Sequence, residues 1–188
     1  MHSLTELPAV TDDSAIIAES LERPDRFGEL YERHHQAVFR YVRSRVGNSA
    51  DDVVGDTFAE AFRRRAKFDA TRGSSCLPWL LGIATNMIDR RRELERRWLR
   101  PDPTVGVSSS VDRLDEVDRR IDDARLTPAL MAALAQLRRR DRTALLLHVA
   151  ADLSVEEVAV ALDVPPGTVK SRLHRARRIL AAHLEVAR

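Results

Sequence analysis

The sequence predicts an all-α protein of two small helical domains joined by a flexible linker. Apolar residues make up 44 % of the 188 positions but aromatics only 5 %, so the cores must be built from Ala, Leu, Val and Ile. Glycine is sparse, at 7 residues, and β-branched residues rarely alternate with polar ones, which favours helices over strands. Apolar positions recur at helical spacing on both sides of a stretch, 101–127, where that pattern weakens.

The chain divides in order. Residues 1–23 are a tail that is patternless to Asp13 and then carries a short helix over Ser14–Leu21. Residues 24–100 form the first domain. Pro24 opens a long helix with Phe27, Leu30, Tyr31, Val38, Tyr41 and Val42 on one face, and Gly47-Asn48 ends it. Ser49 to Asp52 has the spacing of a capping box with Ser49 as N-cap, ahead of a helix that buries Val54, Phe58, Ala61 and Phe62. A Gly/Ser loop spans Asp69–Cys76. Pro78 starts a further helix that Pro101 stops. Its apolar stripe is Leu80, Ile83, Ala84, Met87, Leu94 and Trp98, and its other face carries Asn86, Arg90, Arg92, Arg96 and Arg97.

The segment 101–127 reads as a linker with some helix near Val111–Ala124. It holds two prolines, Gly106, three serines and seven acids against four arginines. Residues 128–188 form the second domain, with helices over roughly 128–138, 141–151 and 155–162 and a last one from Pro166 to the end of the chain. No additional C-terminal domain is expected.

Composition excludes several classes. The net charge of +2 conceals strong local polarity in which Arg dominates over Lys, and the planar guanidinium suits phosphates and base edges. The single cysteine, Cys76, excludes an internal disulfide and a thiolate zinc cluster. No run of 18 apolar residues is present, so no membrane insertion is expected. Without a basic stretch followed by an apolar core near the first residues, no secretion signal is expected, and the reducing cytoplasm is the expected location.

The sharpest signal lies between Ser154 and Leu184. Ser154 and Glu157 repeat the capping-box spacing, and Val158, Ala159 and Leu162 face inward from a short helix. Asp163-Val164-Pro165-Pro166-Gly167 turns the chain, with Val164 as the apolar plug. The next helix aligns Val169, Leu173, Ala176, Leu180 and Leu184. Small Ala159 lets the two helices approach, which completes a helix-turn-helix. With that stripe buried, Thr168, Lys170, Ser171, His174, Arg175 and Arg178 form a basic, hydrogen-bonding ridge at the end that enters a major groove. Arg172 and Arg177 flank it and suit phosphates.

The run Pro165-Pro166-Gly167-Thr168-Val169-Lys170-Ser171-Arg172-Leu173-His174-Arg175-Ala176-Arg177 resembles the recognition helix of bacterial sigma factors of the extracytoplasmic-function (ECF) branch. Ala132 to Leu137 and Arg142 to Leu147 resemble the start of the same domain, region 4. In the first domain, Ala50-Asp51-Asp52-Val53-Val54-Gly55-Asp56-Thr57-Phe58 resembles the region 2 segment that docks on the polymerase clamp. Trp79 to Asn86, followed by Asp89-Arg90-Arg91-Arg92, resembles the element that opens the promoter. The resemblance covers roughly 27–97 and 129–184. Gly55 departs from it, standing where the family usually has glutamine.

The resemblance implies a dissociable specificity subunit whose partners are RNA polymerase core, promoter DNA and an anti-sigma factor, with no cofactor and the chemistry left to the polymerase. The C-terminal domain would read duplex at the minus-thirty-five element, and the first domain would capture melted minus-ten DNA. Its linker would thread polymerase channels, for which an acidic chain could mimic a phosphate backbone; a plain soluble spacer is the other reading.

The residues support that division physically. Melted DNA needs stacking surfaces and a cationic track. Phe68, Arg72 and Trp79 supply the former around the loop, and Arg90, Arg92, Arg96 and Arg97 the latter, with the Asn86 amide available to a base edge. Trp79 serves equally well as core, and Asn86 as a solvated position. Asp52, Asp56 and Glu60 share a helix face at four-residue spacing and, with Thr57, fit a basic polymerase surface. The same ladder would serve a metal-dependent nucleotide hydrolase, although no second acidic helix faces it. A stand-alone helix-turn-helix regulator is the other alternative, and it leaves the first domain unexplained. The histidines show no ligand spacing: His34 and His35 are adjacent and point apart. No metal site is expected, and Cys76 reads as an inert loop thiol.

Overall fold

The computed structural model describes residues 12–98 and 128–186, and every regular element in them is helical. The linker expectations for 101–127, and those for the first eleven residues, fall outside the described residues.

Helix α1 (Asp13–Glu22) extends one residue beyond its predicted span at each end. The Asp12 carbonyl accepts the amides of Ala15 and Ile16 at 3.0 and 3.1 Å, which closes the first turn. Pro24 opens a single 3-10 turn, Pro24–Phe27, and the long helix α2 (Gly28–Val46) follows it. Helix α2 buries Leu30, Val38, Tyr41 and Val42 and stops at Gly47, whose φ of +58° is the left-handed conformation that glycine adopts without strain. Tyr31, predicted on the buried face, is 44 % exposed; its ring lies at the rim, with its centroid 4.8 Å from that of Phe58.

Helix α3 (Ala50–Arg64) is entered through a 3-10 turn over Gly47–Ser49. The predicted capping box at Ser49 does not form. At φ −88° and ψ 16° the Ser49 backbone is too compact for its hydroxyl to reach back to the first amides, which an extended N-cap allows. Helix α4 (Leu77–Trp98) packs on both α2 and α3 and buries Leu80, Leu81, Ile83, Ala84 and Ile88. Leu94, placed on the stripe by its spacing, is 54 % exposed, because α4 continues past the core that its first turns cover.

The C-terminal half comprises α5 (Pro128–Ala135), α6 (Arg139–Val149), α7 (Val155–Leu162) and α8 (Pro166–Val186), with α8 packed against the other three. Arg142 ties α6 to the end of α5 by donating to the carbonyls of Ala135 and Leu137, both at 3.1 Å.

The two halves meet along a seam in which α4 lies against α7 and α2 touches α6. A Cβ at Gly82 would sit 2.6 Å from the backbone carbonyl oxygen of Ala161, so only glycine allows this approach. Polar contacts flank it. Arg139 pairs with Asp89 at 2.5 Å, Arg72 with Asp163 at 3.1 Å, and Arg45 donates to the Thr143 hydroxyl at 3.1 Å. Arg45 is only 3 % exposed. Its Nη2 lies 3.8 Å from Asp89, and its Nε and Nη2 have no hydrogen-bond partner among the described residues.

Gly82→Ala favours the helical state of α4 by about 1 kcal/mol on propensity alone, yet sets a methyl group against a fixed carbonyl. The variant is expected to part the seam with both halves folded. Small-angle X-ray scattering should give a larger radius of gyration than the parent, with undiminished helical circular dichroism. An unchanged scattering profile would mean that α4 and α7 do not meet in this way.

Candidate nucleic-acid interface

The C-terminal motif is built as its sequence demands. The Ser154 hydroxyl accepts the Glu157 amide at 3.2 Å and the Glu157 carboxylate accepts the Ser154 amide at 2.8 Å, so the capping box is complete. Asp163 closes α7 at φ +50°, a left-handed conformation that Asp tolerates better than most residues. The Val164 amide donates back to Ala159 at 3.1 Å and the Asp163 amide to Val160 at 3.3 Å, the paired bonds that end a helix at a sharp turn. Val164 packs on the core, and the Pro165 carbonyl receives the Thr168 amide to start α8.

Val169, Leu173 and Ala176 are buried beneath α8, which leaves Lys170, Ser171, His174, Arg175, Arg177 and Arg178 exposed and Thr168 and Arg172 half-buried. Ser171 and Arg175 of the ridge have partners among the described residues. Ser171 donates to the Gly167 carbonyl at 3.0 Å. Arg175 reaches across to α6 and holds the Asp141 carboxylate with two nitrogens, at 2.9 and 3.2 Å; Asp141 is 2 % exposed. That hydrogen-bonded carboxylate raises the Arg175 pKa, fixing its charge.

On α4, Asn86 and Arg90 face solvent, while Thr85 faces inward and shares a 2.8 Å hydrogen bond with the buried Tyr41 hydroxyl. Burial pushes the Tyr41 phenol up, so it stays protonated. Arg92 is half-buried and donates to the Arg45 carbonyl at 2.7 Å, which turns this part of the predicted track toward α2. The side chains of Arg96 and Arg97 lie outside the described residues. Phe68 and Trp79 meet edge to face, 5.3 Å between centroids, half-buried on the core. They are therefore anchored below while keeping an open side. Arg72 is exposed and held by Asp163. In the loop, the Thr71 hydroxyl and amide hold the Asp69 carboxyl below the usual range.

The acidic ladder on α3 is only partly open. Asp52 and Asp56 are exposed, but Glu60 is half-buried and paired to Arg63 at 2.6 Å and Arg64 at 2.5 Å. The Arg63 hydrogen bond holds the Glu60 carboxyl below its ordinary range. Thr57 corrects the expectation that placed it at a polymerase contact. It is fully buried, its hydroxyl donating to the Val53 carbonyl at 2.7 Å, and it faces Met87. Gly55 is exposed with open space around it, so α3 runs through it unbroken at a cost of about 1 kcal/mol relative to alanine.

One cluster was missed by sequence reasoning. Asp13, His34 and Cys76, from three separate segments, converge in the first half with their ligand atoms all within 4.8 Å of one another. Their separations of 21 and 42 positions carry no periodic signal, and only the packing of α1 on α2 and of the loop on α1 brings them together.

A helix-turn-helix with an exposed basic ridge, joined to a helical domain that exposes an amide and arginines, defines a DNA-binding protein of two helical parts. Residues 30–97 match the family Sigma-70 region 2, and residues 128–180 match Sigma-70, region 4. The ECF RNA polymerase sigma factor BldN of Streptomyces coelicolor is 32 % identical over 185 residues, covering 93 % of this chain and 68 % of that protein. The ECF RNA polymerase sigma factor SigC of Mycobacterium tuberculosis is 33 % identical over 182 residues, covering 93 % and 94 %. Among solved structures, CnrH in complex with the cytosolic domain of CnrY matches with a TM-score of 0.64 at 26 % identity, over 93 % of this chain and 97 % of that one. The sigma factor RpoE in complex with the anti-sigma factor NepR from Bartonella quintana matches with a TM-score of 0.57 at 25 % identity, over 85 % and 99 %. The chain belongs to the ECF family of RNA polymerase sigma factors, and it directs core polymerase to promoters.

Arg175→Ala leaves the Asp141 carboxylate buried without its two-nitrogen partner, and a lone buried charge is strongly destabilising. The variant is expected to melt at a lower temperature than the parent. Arg175→Lys should recover only part of the loss, since an ammonium cannot reproduce the planar fork. Equal melting temperatures for Arg175→Ala and parent would make the ion pair incidental.

Proposed function

We propose that α8 reads duplex DNA at the minus-thirty-five element with Thr168, Lys170, Ser171, His174, Arg175 and Arg178 toward the major groove, and Arg172 on phosphate. The observation that carries this is the capped helix-turn-helix with its buried Val169–Leu173–Ala176 stripe and the exposed ridge opposite. Arg175 has a double duty: in the free chain it braces α8 against α6, and reaching a base requires it to leave Asp141.

Asn86, Arg90 and Arg92, with Arg96 and Arg97 farther along α4, take the melted minus-ten strand, and Phe68, Trp79 and Arg72 form the wall beside it. Asp52 and Asp56 meet polymerase core, with Glu60 available only if it exchanges its arginines. The polymerase supplies the chemistry, and the work is done in the cytoplasm; no described helix is long and apolar enough to cross a membrane. An anti-sigma factor is a further partner, as in the complex solved for RpoE with the anti-sigma factor NepR.

The seam adds a geometric requirement. The two elements lie about 25 base pairs apart, roughly 85 Å of duplex at 3.4 Å per step. A compact chain of this length has a radius of gyration of about 16 Å. One closed body cannot touch both, so the α4–α7 seam must part when the promoter is engaged.

Run-off transcription with core polymerase, with and without the protein, on genomic fragments tests the reading as a whole. Asn86→Ala is expected to lose permanganate reactivity of the minus-ten region on a normal promoter and to regain activity on a pre-melted one. Parent-like melting by that variant would take Asn86 out of the strand-capture surface.

A further inference from the structure

The Asp13–His34–Cys76 cluster is not used by either DNA surface, yet it is the most concentrated set of metal-ligating groups among the described residues. Asp13 Oδ2 is its centre. It lies 2.7 Å from His34 Nε2, accepts the Cys76 amide at 2.9 Å, and stands 3.3 Å from the Ser75 hydroxyl. The other carboxylate oxygen, Oδ1, accepts from Arg33 at 3.0 Å. Asp13 and Cys76 are buried and His34 is half-buried.

The arrangement is not that of a catalytic thiol. A nucleophilic triad places the imidazole between thiol and carboxylate, whereas here the carboxylate is bonded to both the imidazole and the cysteine. Burial pushes the Cys76 thiol well above its ordinary range, and the adjacent Asp13 charge pushes it further. Burial alone would raise the Asp13 carboxyl too, but His34, the Cys76 amide and Arg33 outweigh it and hold the group well below the usual carboxylate range. What results is a buried, ionised carboxylate beside a soft sulfur and an imidazole nitrogen, with a cation hydrogen-bonded to the outer carboxylate oxygen.

We propose that Asp13, His34 and Cys76 form a zinc site, with water in the fourth position. One sulfur, one nitrogen and one carboxylate oxygen are ligands zinc accepts, at about 2.3 Å to sulfur and about 2.0 Å to nitrogen and oxygen. Tetrahedral bonds of that length separate ligand atoms by roughly 3.3–3.6 Å. The observed cluster reaches this with sub-ångström to ångström side-chain shifts: the His34–Asp13 contact opens slightly and Cys76 closes in. On binding, the Cys76 thiol gives its proton to solvent, the imidazole carries its remaining proton on Nδ1, and the two negative ligands neutralise the ion. Arg33 stays as the outer partner that orients the carboxylate.

The ion would tie α1, α2 and the end of the Asp69–Cys76 loop at one point. That loop continues from Phe68 and carries Arg72, so metal occupancy would set how firmly the wall of the minus-ten surface is held. This consequence rests on the strand-capture reading; the metal binding does not.

The test uses the full chain, stripped with a chelator and titrated with cobalt(II) alone. One equivalent is expected to give intense visible bands of tetrahedral cobalt and a near-ultraviolet thiolate-to-cobalt band, both bleached by zinc. Cys76→Ser should lose the thiolate band and His34→Gln should weaken binding at least tenfold, while His35→Gln, whose ring packs on Tyr31 outside the cluster, should behave as the parent. Zinc-edge X-ray absorption of the unmutated protein is expected to show one sulfur neighbour at about 2.3 Å, a readout that needs no variant to fold. No cobalt bands at stoichiometric metal, a thiolate band that survives Cys76→Ser, or an absorption spectrum without sulfur would each overturn the site. Failure of Asn86→Ala to impair promoter melting would leave these spectra unchanged, so the two readings fail separately.

Discussion

Helix α4 must satisfy two neighbours at once. One side fills the core against α2 and α3 with Leu80, Leu81, Ala84 and Ile88, and at Gly82 its backbone comes into contact with α7. The two halves of the molecule are joined through that double duty. The exposed remainder of the helix is left to Asn86 and Arg90, so the surface proposed for melted DNA is the third side of an element whose other two are committed to packing.

The seam is close-packed but imperfectly satisfied. Arg45 is taken out of water with one good hydrogen bond and a carboxylate 3.8 Å away, while two of its nitrogens lack hydrogen-bond partners among the described residues. A buried charge that is only partly compensated costs free energy, and separation of the halves returns it to water. The flanking pairs, Arg139–Asp89 and Arg72–Asp163, are partly exposed and contribute little in salt. Shape holds the seam and electrostatics weakens it, which suits an interface that forms in the free chain and yields to a larger partner.

Most of the fold was legible because helical spacing reports which face of an element is buried. Helix α7 occupies its predicted span, and the Ser154 capping box is made as read, since a cap is a local device encoded within four residues. The same spacing at Ser49 failed because a 3-10 turn entering α3 changed the backbone that a cap needs. Leu94 and Tyr31 failed because periodicity names a face and says nothing of how far the neighbouring helix extends. Thr57 was placed at a partner surface by likeness to a docking segment, but its position one residue after Asp56 turns it to the core. The ridge of α8 was legible as a list of exposed residues. That Arg175 is braced by Asp141, 34 positions earlier, was not, and neither was the Asp13–His34–Cys76 cluster, because both depend on tertiary packing with no sequence period.

A chain that is closed when free must serve a promoter whose two elements lie too far apart for that closed form. The most direct test places fluorophores on two exposed positions, Glu22→Cys in α1 and Ala182→Cys in α8, with the buried Cys76 left unlabelled. Energy transfer is then compared in the free protein and in the complex with core polymerase and promoter. Strong transfer is expected in the free chain, a body of about 16 Å radius of gyration, and near-complete loss of transfer on the promoter. Strong transfer persisting in a transcriptionally active complex would contradict it.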